Sequence, residues 1–284
     1  IADAQPEYEA LIGARVDQVE GRSLSELRDV WSRYTPGPDV HRDESLPLFL
    51  ETPVLLHAAG VGADSTRVAL TLADGGRVMV PATGGWAGPQ GIWRFLGEAR
   101  PIALAKAGRI PATPLYLGEP DAFFRMVRMP ERDAVYVQFR ANIDFSRRTD
   151  LRQLATAAID SIRAASPRFV IVDQRFNVGG DLNTTRALMQ AIPELVGEDG
   201  AVFAITSGRT FSAGIASVAY LKQAAGDRLT IVGAPVGDEL EFHAEGEPLE
   251  LPGDILVMRA TERHNYMTGC QEADCHGNIR RNPI

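Results

Sequence analysis

Between Ala134 and Val232 the sequence alternates short apolar runs with stretches of helical periodicity, and no other feature restricts the possible folds as strongly. Val135-Tyr-Val-Gln-Phe reads as a strand, Leu151, Leu154, Ala158 and Ile162 mark one face of a helix, and Phe169-Val-Ile-Val is a continuous apolar strand. A helix from about Thr184 to Ile192, the strand Val202-Phe-Ala-Ile, a helix from Ala213 to about Ala225 and the strand Leu229-Thr-Ile-Val continue the series. Parallel strands need helical crossovers, so this order predicts a mostly parallel sheet with helices packed on it. Active sites in such sheets gather where strands turn into helices. The chemistry is therefore expected in residues 130–284.

The 284 residues suffice for roughly two domains and a sizeable core. Hydrophobic residues at 45% and charged residues at 23% rule out disorder, collagen and coiled coil for the whole chain. The net charge of −8, with no basic run, argues against a nucleic-acid groove or an anionic membrane surface as partner. No stretch reaches the roughly 18 apolar residues of a spanning helix.

Residues 1–120 read as a smaller α+β region and residues 121–284 as the α/β core. In the first, Leu11 to Leu27 gives a short strand, a Glu20-Gly21 turn and a helix capped by Ser23 with Glu26. Pro36-Gly37-Pro38 is expected to end that helix, and Leu48 to Ala59 forms another, with Pro53 at a first turn or a break and Gly60 at its end. Val68 to Val80 reads as a hairpin turning at Asp74-Gly75. Residues 82–121 read as a linker or irregular connection.

The chain starts at Ile1 without a charged n-region or apolar h-region, so any targeting peptide is expected to have been removed or to lie outside this sequence. Cys270 and Cys275, with four residues between them in a polar segment, favour a local disulfide, which implies periplasm or the cell exterior. A metal site built from Cys270, Cys275, His276 and His264 is the alternative, but the familiar zinc spacings are absent.

Two turns look chemical. Val172-Asp-Gln-Arg-Phe-Asn-Val-Gly-Gly-Asp joins a buried strand to a helix. Adjacent Gly179 and Gly180 allow close backbone approach and can aim N–H groups at an anion, while the bland alternative is a tight turn that needs flexible residues. In Ser207-Gly-Arg-Thr-Phe-Ser-Ala-Gly, Ser212 precedes a helix and the Ala213 N–H can stabilise an oxyanion. Its bland alternative is an ordinary N-cap serine. The turn is not a G-x-S-x-G elbow, because Thr210 stands where glycine would be needed.

Together, Tyr136-Val-Gln-Phe, Val170-Ile-Val-Asp-Gln-Arg-Phe-Asn-Val-Gly-Gly, Thr210-Phe-Ser-Ala-Gly and Ile231-Val-Gly-Ala-Pro-Val-Gly resemble the carboxyl-terminal processing (tail-specific) serine peptidase family, in its tricorn-like or bacterial secreted branch. The resemblance covers most of the chain and matches motifs of the form D-x-R-x-N-x-G-G and T-x-S-[AS]. It implies a Clp-protease/crotonase-like spiral of ββα units, with Ser212 as nucleophile and oxyanion donors among Gly179, Gly180 and Ala213. Gly13 to Gly21 resembles the carboxyl half of a PDZ-type module. No metal or organic cofactor is implied, the partner is a peptide or protein substrate, and the oligomeric state is left open.

The departures from that pattern are specific. Well-known members carry a lysine after a G-E-P-T-x-G-K-like turn, but here the stretch is Gly233-Ala-Pro-Val-Gly-Asp-Glu. Lys106 and Lys222 are the only lysines, and Lys222 lies about 15 Å along the helix from Ser212 at ~1.5 Å per residue. A serine needs a base within hydrogen-bond reach. Tricorn-like relatives use a histidine, commonly upstream of the region corresponding to this chain. Of those present, His57 is expected in the core, His41 in a charged loop and His276 beside the cysteines, which leaves His243 and His264 as base candidates, with Glu239 and Glu241 as possible orienting groups. The expected function is peptide hydrolysis through an acyl-enzyme. The rivals are a peptide-binding relative that has lost its base and an acyl-CoA enzyme on the same spiral.

Overall fold

The computed structural model describes residues 1, 4–82, 108, 114–119, 122–144, 149–253 and 255–265. The chain divides into two compact units, Ile1–Asp121 and Ala122–Ile284.

In the first unit, strands β1 (Val16–Val19), β2 (Arg22–Ser23), β3 (Arg67–Leu72) and β4 (Arg77–Pro81) form an antiparallel sheet in the order β2-β1-β3-β4. Glu20 (φ 52°) and Gly21 (φ 72°) make the two-residue β1–β2 turn with positive φ at both central positions. Of Asp74 and Gly75, only Gly75 has positive φ (87°), and the Leu72 N–H bonds to Gly76 O, so the β3–β4 loop holds three residues. Helices α1 (Leu24–Trp31), α2 (Asp39–Leu50) and α3 (Pro53–Ala58) supply the rest of the core, where Leu27, Val30, Phe49 and Leu56 are buried with Val19 and Val68.

The break expected at Pro53 divides residues 48–59 between two helices, because Pro53 opens a new first turn where its missing N–H costs nothing. Three expectations change here. Helix α1 stops at Trp31, ahead of Pro36, and His41 lies on α2. His57 is exposed on α3, with Nδ1 3.1 Å from Gly62 O, because Leu56 beside it takes the inward position. Gly60 does close α3 (φ 70°), with the Val61 N–H returning to Leu56 O.

In the second unit, β5 (Phe124–Met129), β6 (Ala134–Phe139), β7 (Phe169–Asp173), β8 (Ala201–Thr206) and β9 (Leu229–Gly233) lie in sequence order across one sheet. The β5–β6 pair is antiparallel and every later pair is parallel. Helices α4 (Leu151–Ala165), α5 (Asn183–Leu195) and α6 (Ala213–Ala225) are the crossovers, and α4 packs on α5 and α5 on α6. Strands added in sequence order through crossovers of one hand bring successive helices to one face. After the opening antiparallel pair, each helix is followed by one strand of this sheet. All six residues of β6 are buried, which explains why it reads as a strand without clean alternation. Helix α4 buries Leu151, Ala155, Ala158 and Ile162, spaced by four, three and four, while Leu154 faces solvent. Strands β10 (Glu241–Leu251) and β11 (Ile255–Asn265) form a separate antiparallel hairpin. No described helix is long and apolar enough to cross a membrane.

Candidate active site

Strands β7 and β8 are parallel neighbours, so the turns that follow them leave the same edge of the sheet. Three hydrogen bonds join those turns. The Thr210 hydroxyl donates to Gln174 O at 2.8 Å, the Ser207 hydroxyl to Arg175 O at 2.6 Å and the Phe211 N–H to Asn177 O at 2.9 Å. Thr210 is fully buried, so the residue that breaks the G-x-S-x-G pattern fastens one turn to the other. The turn after β9, where the resemblance expects a lysine, reaches the same place: the Gly237 N–H donates to Thr210 O at 2.8 Å.

Two glycines make this approach possible. A Cβ built on Gly179 (φ 104°) would lie 2.7 Å from Ser212 Cβ and 3.0 Å from Ala213 N. One built on Gly214 would lie 2.4 Å from Asn177 O. Any side chain at position 179 would therefore occupy the space of the serine itself.

Ser212 has φ 49° and ψ −123°, the conformation of the first central residue of a II′ turn, normally held by glycine. Holding serine there costs of order 1–3 kcal/mol. An N-cap serine instead has extended backbone and accepts a bond from the N2 or N3 N–H. Ser212 makes no such side-chain bond, although its carbonyl accepts from the Ile215 and Ala216 N–H groups to start α6. Ser212 is partly exposed, and its hydroxyl is not engaged in capping.

The amides around it differ. The Gly179 N–H donates to Asn177 Oδ1 at 3.0 Å and its carbonyl accepts from Asn142 N at 2.7 Å, which removes Gly179 from the set of available donors. Among the described residues, the Gly180 and Ala213 N–H groups make no hydrogen bond. Gly180 is exposed, and Ala213 opens a 13-residue helix whose dipole favours negative charge at that end.

A buried polar network beneath these amides was not legible in the sequence. Asn177 Nδ2 donates to Asn142 Oδ1 at 2.8 Å, and Asn142 Nδ2 donates to Ala213 O at 3.0 Å and Ser217 Oγ at 3.1 Å. The Thr184 hydroxyl donates to Asn142 O, and Thr185 and Ser217 share a 2.6 Å hydroxyl contact. Asn142 thus bonds to both turns at once. Its one sequence signal is an amide following the apolar β6, and nothing local distinguishes that from a loop residue. Asp173, fully buried, accepts from the Tyr136 hydroxyl at 2.6 Å and from the Arg175 backbone and Nε. Burial, and then the neighbouring Asp173 charge, push the Tyr136 phenol far above its ordinary pKa.

The expected base does not join this constellation among the described residues. His264 is buried, stacked on Phe242 with ring centroids 5.4 Å apart, and its Nε2 lies 3.9 Å from Glu245 Oε1. His243 is exposed on β10, paired in register with Arg263. Neither is hydrogen-bonded to Ser212. Glu239 and Glu241 are exposed. Lys222 donates to Gly226 O at the far end of α6. Lys106, Cys270, Cys275 and His276 lie outside the described residues. No group of three His, Cys, Asp or Glu residues suited to a metal occurs among the described residues.

No protein-family model matches this chain, and no curated protein matches it. Among solved structures it is similar to mature CPAF complexed with lactacystin, at 12% identity over 88% of this chain and 69% of that one, with a TM-score of 0.47. It is also similar to a Bacteroides fragilis protein described as a candidate S41 protease, at 14% identity over 70% of this chain and 55% of that one, TM-score 0.35. A lipoprotein from Streptococcus agalactiae aligns at 10% identity over 51% of this chain, TM-score 0.32. The chain spans 59% of the lipoprotein's length and 55% of the Bacteroides protein's.

Proposed function

We propose that this chain is a serine-type peptidase with Ser212 as its nucleophile, built on a Clp-protease/crotonase-like spiral. The Ser212 oxygen bonds to the carbonyl carbon of a peptide, and its proton passes to a base. Charge developing on the carbonyl oxygen is met by the Gly180 and Ala213 N–H groups. The C–N bond then breaks, the base returns its proton to the leaving amine, and water hydrolyses the acyl-enzyme. The observation that carries this reading is the strained Ser212 backbone, whose hydroxyl caps nothing while Gly179 leaves it room. Strain of this kind persists where surrounding structure over-determines it, and it clusters at functional sites.

A second reading, a peptide-binding protein without turnover, is favoured by one observation. Among the described residues no histidine, lysine or carboxylate is hydrogen-bonded to the Ser212 hydroxyl. A fluorophosphonate probe on the full-length protein separates the two. Labelling that disappears in Ser212→Ala supports the peptidase. A folded wild-type protein that resists the probe, or labelling that survives in Ser212→Ala, favours the binding protein.

A further inference from the structure

Residues 141–144 invert the usual burial pattern. Ala141 and the polar Asn142 and Asp144 are 0%, 1% and 7% exposed, while Ile143 between them is 38% exposed. Singly exposed aliphatic residues are common and need no explanation. Leu154, exposed on α4, is one. Ile143 differs in where it sits and how it is held. A Cβ built on Gly180 would lie 2.9 Å from Ile143 Cβ and from its Cγ2, so this side chain is packed against the glycine whose N–H faces the proposed oxyanion. The backbone on its amino side is fixed by the Asn142 N–H on Gly179 O, by Thr184 on Asn142 O and by the Asn142 amide in the buried network. Isoleucine is β-branched and stiff at χ1, so the hydrocarbon surface it presents is preorganised.

We propose that Ile143 is a specificity-determining residue. It forms a wall of the subsite that receives the side chain of the residue whose carbonyl is attacked, and it selects a large aliphatic group there. The proposal rests on the Ser212 reading and adds the substrate class to it. A carbonyl oxygen placed on the Gly180 N–H seats its own residue beside the glycine against which Ile143 packs, and apolar contact there would exclude water from both surfaces. A hydrophobic pocket discriminates by roughly tenfold or more per missing group of this size.

The test compares peptidyl phosphonates that are identical except for leucine or glycine at the residue bearing phosphorus, alongside a small fluorophosphonate that lacks that side chain. In the wild type the leucine form is expected to label Ser212 about tenfold faster than the glycine form. Ile143→Ala is expected to bring that ratio close to one, Ile143→Asp to reverse it and Ile143→Val to retain it, each variant being checked for wild-type thermal unfolding. A ratio unmoved by Ile143→Ala, with fluorophosphonate labelling intact, overturns the subsite and leaves the serine reading standing. If the fluorophosphonate labels nothing, the serine reading fails, and the subsite is judged by equilibrium binding of the leucine and glycine forms of one fluorescent peptide. The same ratio and the same loss in Ile143→Ala then support it, and equal binding overturns it.

Discussion

Gly179 touches the proposed chemistry without contributing a donor, since its amide is bonded to Asn177 Oδ1 and its role is to lack a Cβ. Gly179→Ala therefore meets two penalties at once. The left-handed φ of 104° is unfavourable for any L side chain, and the new methyl would sit 2.7 Å from Ser212 Cβ. The two together are expected to destabilise the second unit by about 2–5 kcal/mol and to weaken Ser212 labelling even in the folded fraction. Denaturant unfolding and probe labelling on the same samples measure both effects. Gly21→Ala is the control: φ is 72°, but nothing lies within 4 Å of the added carbon, so only the conformational cost of about 1 kcal/mol remains. An ordinary loss at Gly179, equal to that at Gly21, would mean that the two turns separate easily and that their convergence is not a rigid feature.

At the scale of elements, two serines that both precede helices show how much a turn adds to a sequence motif. Ser23 has φ −66° and ψ 156°, accepts from the Glu26 N–H, and receives the Glu26 carboxylate on its own N–H, a complete capping box at the start of α1. The Ser23 hydroxyl also donates to the Glu26 carboxylate at 2.7 Å, and that bond first, then the one from the Ser23 N–H, holds the Glu26 carboxyl below its usual pKa. Ser212 has the opposite sign of φ and no cap bond at the start of α6. Ser23→Ala is accordingly expected to lower stability by about 1 kcal/mol, while Ser212→Ala, which removes a hydroxyl that holds nothing, should stay within about 0.5 kcal/mol of wild type. Thermal unfolding of the two variants tests the contrast. A large loss in Ser212→Ala would return that residue to a structural role.

For the whole molecule, the phenols fix the alkaline limit of stability. Tyr136 is raised far above its ordinary pKa by burial and by Asp173, and burial pushes Tyr220 up to about 12. Both bind their proton more tightly folded than unfolded, so their contribution is complete below about pH 10 and is lost as pH rises from there through the folded values, at up to about 1.4 kcal/mol per pH unit for each phenol. The chain has two lysines, so few ammonium groups titrate in that window. Denaturant midpoints between pH 8 and 11 should stay level and then fall, and the fall should be shallower in Tyr136→Phe. An unchanged slope in that variant would remove Tyr136 from the account. The division of labour between sequence and tertiary structure follows the range of the forces involved. Strands β6 to β9 and helices α4 to α6 are legible because continuous apolar runs and 3.6-residue spacing are local signals of burial, and the sequence by itself determined their order and hence the edge from which the turns after β7 and β8 emerge. Helix α2 is poorly legible because its first turns are charged and its apolar residues sparse, and the inward residue of α4 is Ala155 rather than Leu154 because packing, not hydrophobicity alone, selects the buried face. The glycine-like backbone of Ser212, the role of Asn142 and the outward turn of Ile143 were decided by tertiary structure alone. Each depends on contacts between segments tens of residues apart, which no window along the chain contains.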